Sequence, residues 1–104
     1  MTRNAFVMKL KPGCEAEYQK RHDEIWPELQ GALRQAGVSD YSIYLDRETL
    51  LLFAFQKLAD GHTSDGLPDN PVVKRWWASM APLMETNTDL SPYSRSLAEV
   101  FHLD

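Results

Sequence analysis

Val38-Ser39-Asp40-Tyr41-Ser42-Ile43-Tyr44-Leu45-Asp46-Arg47-Glu48-Thr49-Leu50-Leu51-Leu52-Phe53-Ala54-Phe55 occupies the middle of the chain and decides how the rest is arranged. Its first part, Val38 to Leu45, alternates, with Tyr41, Ile43 and Leu45 on one side and Ser42 and Tyr44 on the other, the period of a strand. Asp46-Arg47-Glu48-Thr49 supplies polar turn residues. Leu50 to Phe55 is a near-continuous apolar run of strand length. Together they predict a hairpin, and the apolar run predicts that both faces of its second strand are covered.

Upstream of the hairpin, Gly37 marks a helix end as a C-terminal cap. Before it, Cys14, Ile25, Leu29, Leu33 and Ala36 form an apolar stripe at helical spacing. Tyr18 and His22 continue that stripe one turn apart, where the pattern calls for hydrocarbon. Pro27 falls inside the pattern, lacks an amide proton and crowds the preceding turn, so a kink or restart is expected near Trp26. Lys11-Pro12-Gly13 separates this helix from a strand over residues 4–10, with Phe6, Met8 and Leu10 on one face.

Downstream, residues 57–71 read as a polar loop broken by glycines and prolines, with His62 as a solvated loop residue. A second helix is expected from about Pro71, a natural first-turn residue, with Val73, Trp76, Trp77, Met80 and Met84 on its apolar side and Pro82 limiting it. After the polar segment Thr86 to Pro92, a last strand is expected over Leu97 to Leu103. The order β-α-β-β-α-β predicts one ferredoxin-like α+β domain over residues 1–104, an antiparallel sheet with both helices on one face. A third strand apolar on both sides leaves the other face wanting a partner. The simplest is a second copy, giving a two-fold homodimer, a dimeric α/β barrel.

Composition narrows the function classes. Of 104 residues, 43% are hydrophobic and 25% charged, an ordinary globular balance for a single core. The net charge of −4 argues against nucleic acid or an anionic membrane as partner, since both favour basic surfaces. No apolar run approaches a membrane span or a signal peptide. Cys14 is the single cysteine, so no internal disulfide forms, and a cytoplasmic location is expected. His22, His62, His102 and Cys14 match no metal-ligand spacing, and neither a phosphate-cradling glycine loop nor a nucleophile elbow is present. Neither metal nor cofactor is expected. His102 stays open between a sheet contact and a pocket wall.

What remains are Tyr18 and His22 on the first helix, Tyr41 on the second strand, and Trp76-Trp77 on the second helix. Neighbouring helical residues differ by about a quarter turn, so one tryptophan can enter the core while the other faces the space between helix and sheet. Flat aromatic rings with a polar tip suit a ligand that has an apolar face and hydroxyl edges, such as a sugar. The same residues also suit an ordinary core in which a buried tyrosine and histidine are satisfied locally.

Tyr18-Gln19-Lys20-Arg21-His22-Asp23-Glu24-Ile25-Trp26-Pro27-Glu28-Leu29, Tyr41 to Asp46, Arg75-Trp76-Trp77, Asn87 to Pro92 and Leu97 to Leu103 resemble the L-rhamnose mutarotases. The resemblance covers nearly the whole chain. It implies a homodimeric isomerase that interconverts sugar anomers, with His22 as proton donor and Tyr18, Tyr41, Trp76 and Trp77 touching L-rhamnose or a related sugar. The departure lies at residues 57–70, loop-like here and more helical in other members. Anomerisation needs a positioned acid and base and no cofactor, and an imidazole serves either role near neutral pH. The base stays open among Tyr18, a water and a carboxylate. Two other readings share these residues: a non-catalytic small-ligand sensor, and a monooxygenase or cyclase on the same dimeric architecture.

Overall fold

The computed structural model describes residues 1–104 and builds the chain around one four-stranded sheet. Strand β1 runs Thr2–Lys9, and helices α1, Glu15–Asp23, and α2, Pro27–Gln35, follow it. Strands β2, Val38–Leu45, and β3, Leu51–Leu58, form the central hairpin. Helix α3 spans Pro71–Met80, and β4 is only Arg95–Ser96. The spatial order is β2-β3-β1-β4, every pairing antiparallel. That threading is the ferredoxin-like α+β fold, with α1 and α2 sharing the place of the first helix.

Pro27 explains the division. Trp26, the residue before it, is extended (φ −64°, ψ 131°), so α1 cannot run on through it. Pro27 instead starts α2, where the first turn has no use for its missing donor. At the other end of α2, Gly37 has φ +89° and its amide donates to the Arg34 carbonyl at 3.0 Å. A Cβ on Gly37 would lie 2.9 Å from the Cβ of His62, so glycine answers both a backbone and a packing demand there. His62 is therefore not a solvated loop residue. It is half-buried against Gly37, and its Nδ1 accepts from the Ser64 hydroxyl at 2.8 Å.

The core lies between the helices and one sheet face. Met8 and Leu10 from the first strand region and Leu52 and Ala54 from β3 pack with Leu29, Val73, Trp76, Met80, Leu83 and Met84. The opposite face, which the apolar run of β3 led one to expect covered, is covered only in part within the chain: Val7 is 4% exposed there, paired with Phe53. Phe55 is 44% exposed and Tyr44 63%, their rings 5.8 Å apart.

Two further expectations are corrected. Residues 57–70 are not a plain loop: β3 continues through Leu58, and Ser64–Asp69 winds into a 3₁₀ helix. The last strand is not Leu97 to Leu103. Arg95 pairs with Val7 and Ser96 with Phe6, and after a bond from the Leu97 amide to the Ala5 carbonyl the chain leaves the sheet. Val100, Phe101 and Leu103 are 93, 77 and 80% exposed. Alternating apolar residues settle into a strand only where a face waits to bury them, and this chain offers none at that edge.

Candidate active site

A cleft of about 1250 Å³ opens between the helices and the sheet, and Tyr18, His22, Tyr41, Trp76 and Trp77 all line it. All five residues singled out by sequence thus meet in one cavity. Tyr18 and His22 come from successive turns of α1, their rings 4.3 Å apart and tilted by 32°. Trp76 meets His22 edge-on at 5.3 Å, and Trp26 meets Trp76 edge-on at 5.1 Å. Trp76 belongs to the core as well as to the cavity wall, whereas Trp77 is half-buried at its margin. Tyr41 stands where β2 is interrupted by an irregularity between Ser39 and Ser42, with Asp40 at φ +47°. Its ring lies 6.4 Å from Phe6 of β1. Bulges re-aim side chains in this way at strand edges.

Helix α1 is fixed in place by its neighbours. The Arg21 guanidinium donates to the Ser79 carbonyl of α3 and, through Nε, to the Glu17 carboxylate at 2.9 Å. That contact ties α1, and with it His22, to the helix that carries the tryptophans.

The imidazole is oriented by its own helix. Its Nδ1 lies 2.9 Å from the Tyr18 carbonyl oxygen, which only accepts, so Nδ1–H is the donor. Nε2 is then the nitrogen left for the cavity. Burial pushes His22 below the ordinary histidine value, outweighing the Tyr18 carbonyl and the charge of Asp23, which favour the protonated form. Burial, with a smaller contribution from Tyr41, raises the Tyr18 phenol far above its ordinary value. Burial also pushes the Tyr41 phenol up to about 12. Both shifts favour the protonated phenol near neutral pH.

Sequence reasoning passed over Asn4, Gln56 and Glu15 of the wall, and Trp26 beside it. Trp26, which marks the restart before Pro27, does not line the cavity but packs edge-on against Trp76. Asn4 and Gln56 line the cavity from β1 and β3. Each shares the strand parity of core residues, so a polar residue on an apolar face was the available signal. Glu15 lies one turn before Tyr18, and its Oε1 is sealed from solvent without a hydrogen-bond partner. His102 is exposed on the chain's last turn of sequence, its Nε2 2.9 Å from Asp104, and is not part of the cavity wall. The side chains assemble no group of three His, Cys, Asp or Glu suited to a metal ion. No helix is long and apolar enough to cross a membrane.

Comparison with known proteins agrees with this geometry. A family model described as L-rhamnose mutarotase matches residues 3–103. The chain is 57% identical over 103 residues to an L-rhamnose mutarotase of Jannaschia sp., covering 99% of each. It is 57% identical over 104 residues to one of Bacteroides thetaiotaomicron, covering 100% of each. A crystal structure of an L-rhamnose mutarotase from Formosa agariphila superposes with a TM-score of 0.92 at 48% identity over the full length of both chains. With nearly every residue matched and the aromatic cavity formed, the chain belongs to the L-rhamnose mutarotase family.

Proposed function

We infer that the protein is an isomerase that interconverts the α and β anomers of L-rhamnose in the cavity bounded by Tyr18, His22, Tyr41 and Trp76. Full-length membership of the family supports the reaction. The observation that carries the assignment of roles is the oriented imidazole of His22, pinned through Nδ1 to the Tyr18 carbonyl and beside the Tyr18 and Trp76 rings.

In this reading protonated His22 gives its Nε2 proton to the ring oxygen while the anomeric hydroxyl loses its own proton. The bond between the anomeric carbon and the ring oxygen breaks, and the anomeric carbon becomes an aldehyde. Rotation about the adjacent carbon–carbon bond turns the aldehyde. The freed hydroxyl then adds to its other face and returns a proton to neutral His22. Nothing is oxidised or reduced. The proton from the anomeric hydroxyl passes to water or to a carboxylate of the wall on opening, and the same group returns it to the aldehyde oxygen on closure. Tyr18 and Tyr41 hold sugar hydroxyls, and Trp76 and Trp77 meet the carbon-rich side, including the methyl group. General acid–base assistance of this kind contributes on the order of 10²–10⁴ in rate, enough for a reaction that already runs unaided in water.

The working unit in this proposal is a cytoplasmic homodimer. Its support is the sheet face that displays Tyr44 and Phe55, and the exposed apolar side chains of Val100, Phe101 and Leu103. Saturation-transfer NMR between the two anomeric protons of L-rhamnose tests the activity. Exchange well above the solvent rate is expected. Sugar binding with exchange left at the solvent rate is the result of a sensor and contradicts the proposal.

A further inference from the structure

We propose that Asn4 and Gln56 form a hydroxyl-reading floor in the cavity and determine which sugar it accepts. The inference rests on the reading of the cavity as a sugar site.

The two residues are direct cross-strand partners in the β1–β3 register. The next pairs on that face are Phe6–Ala54 and Met8–Leu52, and these belong to the core or pack against it. Two amides at this position therefore interrupt an apolar face. Asn4 Nδ2 donates to Gln56 Oε1 at 3.0 Å, in a part-buried setting. That bond uses one donor and one acceptor of the pair. The second Asn4 N–H, Asn4 Oδ1 and both N–H groups of Gln56 have no partner within the protein. None of these atoms is sealed away, because the one sealed and unpartnered side-chain atom is Glu15 Oε1. Both residues line the cavity, so it is into this space that their free amide groups are open.

Their neighbour across the sheet is the bulged part of β2. Gln56 lies between the register positions of Phe55, paired with Ser42, and Lys57, paired with Ser39, so it faces the segment that carries Tyr41. The floor thus holds three donors and one acceptor beside a phenol, with tryptophans on the helix side. A pyranose has the matching arrangement: hydroxyls that each donate and accept, and a carbon-rich face. A site that hydrogen-bonds a substrate hydroxyl rejects an analogue lacking it, because its own polar groups are then left unpaired. A cross-strand amide pair with a purely structural role would make no such distinction.

The test is saturation-transfer kinetics on the full-length protein with L-rhamnose and its singly deoxygenated analogues, for wild type, Gln56→Leu and Asn4→Leu. In wild type at least one analogue should lose about tenfold in kcat/KM, the size of one neutral hydrogen bond. In Gln56→Leu, KM for L-rhamnose should rise by about the same factor with kcat changed less, and that analogue should no longer be penalised. Gln56→Glu, which keeps length and polarity, should retain more of the discrimination than Gln56→Leu. A wild type indifferent to every deoxygenation overturns the proposal. So does a folded Gln56→Leu with unchanged KM and unchanged ranking. If the leucine variants fail to fold, the wild-type scan and Gln56→Glu decide the matter. Should wild type leave L-rhamnose exchange at the solvent rate, the mutarotase reading fails, and calorimetric binding of the same sugars judges the floor separately.

Discussion

At the scale of single residues, His22 carries the account. Burial disfavours its charged form, so its folded pKa lies below the ordinary 6.5. If the imidazolium donates to the ring oxygen, kcat/KM should fall as pH rises, with its inflection below 6.5. Asp23→Asn should move that inflection lower still, because the Asp23 charge favours protonation. A pH–rate profile checks both, and an inflection above 6.5 goes against the burial argument. The sign for stability follows from the same shift. Between the depressed folded value and 6.5 the unfolded chain binds more protons, so stability rises with pH there and is lost as pH falls through that window. Urea unfolding at about pH 7 and about pH 5 should show the loss in wild type and a smaller one in His22→Ala. Tyr18→Phe keeps the ring stacked 4.3 Å from His22 and removes only the hydroxyl. Its KM should rise by up to about tenfold with the fold intact, the value of one hydrogen bond. These residues were legible because a histidine and a tyrosine broke an apolar stripe. Trp26, by contrast, carried no such signal; it reaches Trp76 only through the restart at Pro27.

At the scale of elements, local chemistry was readable wherever a residue forces the backbone. Pro27 divided the first helical pattern at the expected place, and Gly37 closed it. The two glycines near this helix make a paired prediction. Gly37→Ala would place a methyl group at φ +89° and 2.9 Å from His62, and should destabilise the protein by more than ~1–2 kcal/mol. Gly31 lies within α2 with nothing within 4 Å of an added Cβ, so Gly31→Ala should stabilise by ~0.5–1 kcal/mol. Thermal or urea unfolding of the two variants checks the pair, and equal effects would contradict it. The last strand was misread because Leu97, Val100, Phe101 and Leu103 look like strand residues whatever they pack against. Whether such residues pair depends on a neighbouring edge and face, which no local pattern encodes. The 3₁₀ helix at Ser64–Asp69 was hidden for a related reason: its glycine and proline read as breakers, yet one short tight turn accommodates both.

At the scale of the whole molecule, the hairpin with a helical pattern on either side sufficed for the ferredoxin-like threading, since few topologies accept that order. The apolar residues left uncovered on the far side of the sheet belong to the same scale. In the proposed dimer they are buried by a second copy, so Phe55→Glu, at a 44% exposed position on that face, should shift the protein toward monomer in sedimentation. Wild type that sediments as a stable monomer at micromolar concentration would count against the dimer. The cavity links the scales: helix α1 supplies the proton carrier, the bulged β2 supplies a phenol, and α3 supplies the aromatic wall. The most direct measurement of the central claim is the anomeric exchange rate of L-rhamnose in wild type and His22→Ala, by saturation transfer under identical conditions. The account predicts a loss on the order of 10²–10⁴ in the variant, down toward the solvent rate. A folded His22→Ala protein that exchanges the anomers as fast as wild type would contradict it.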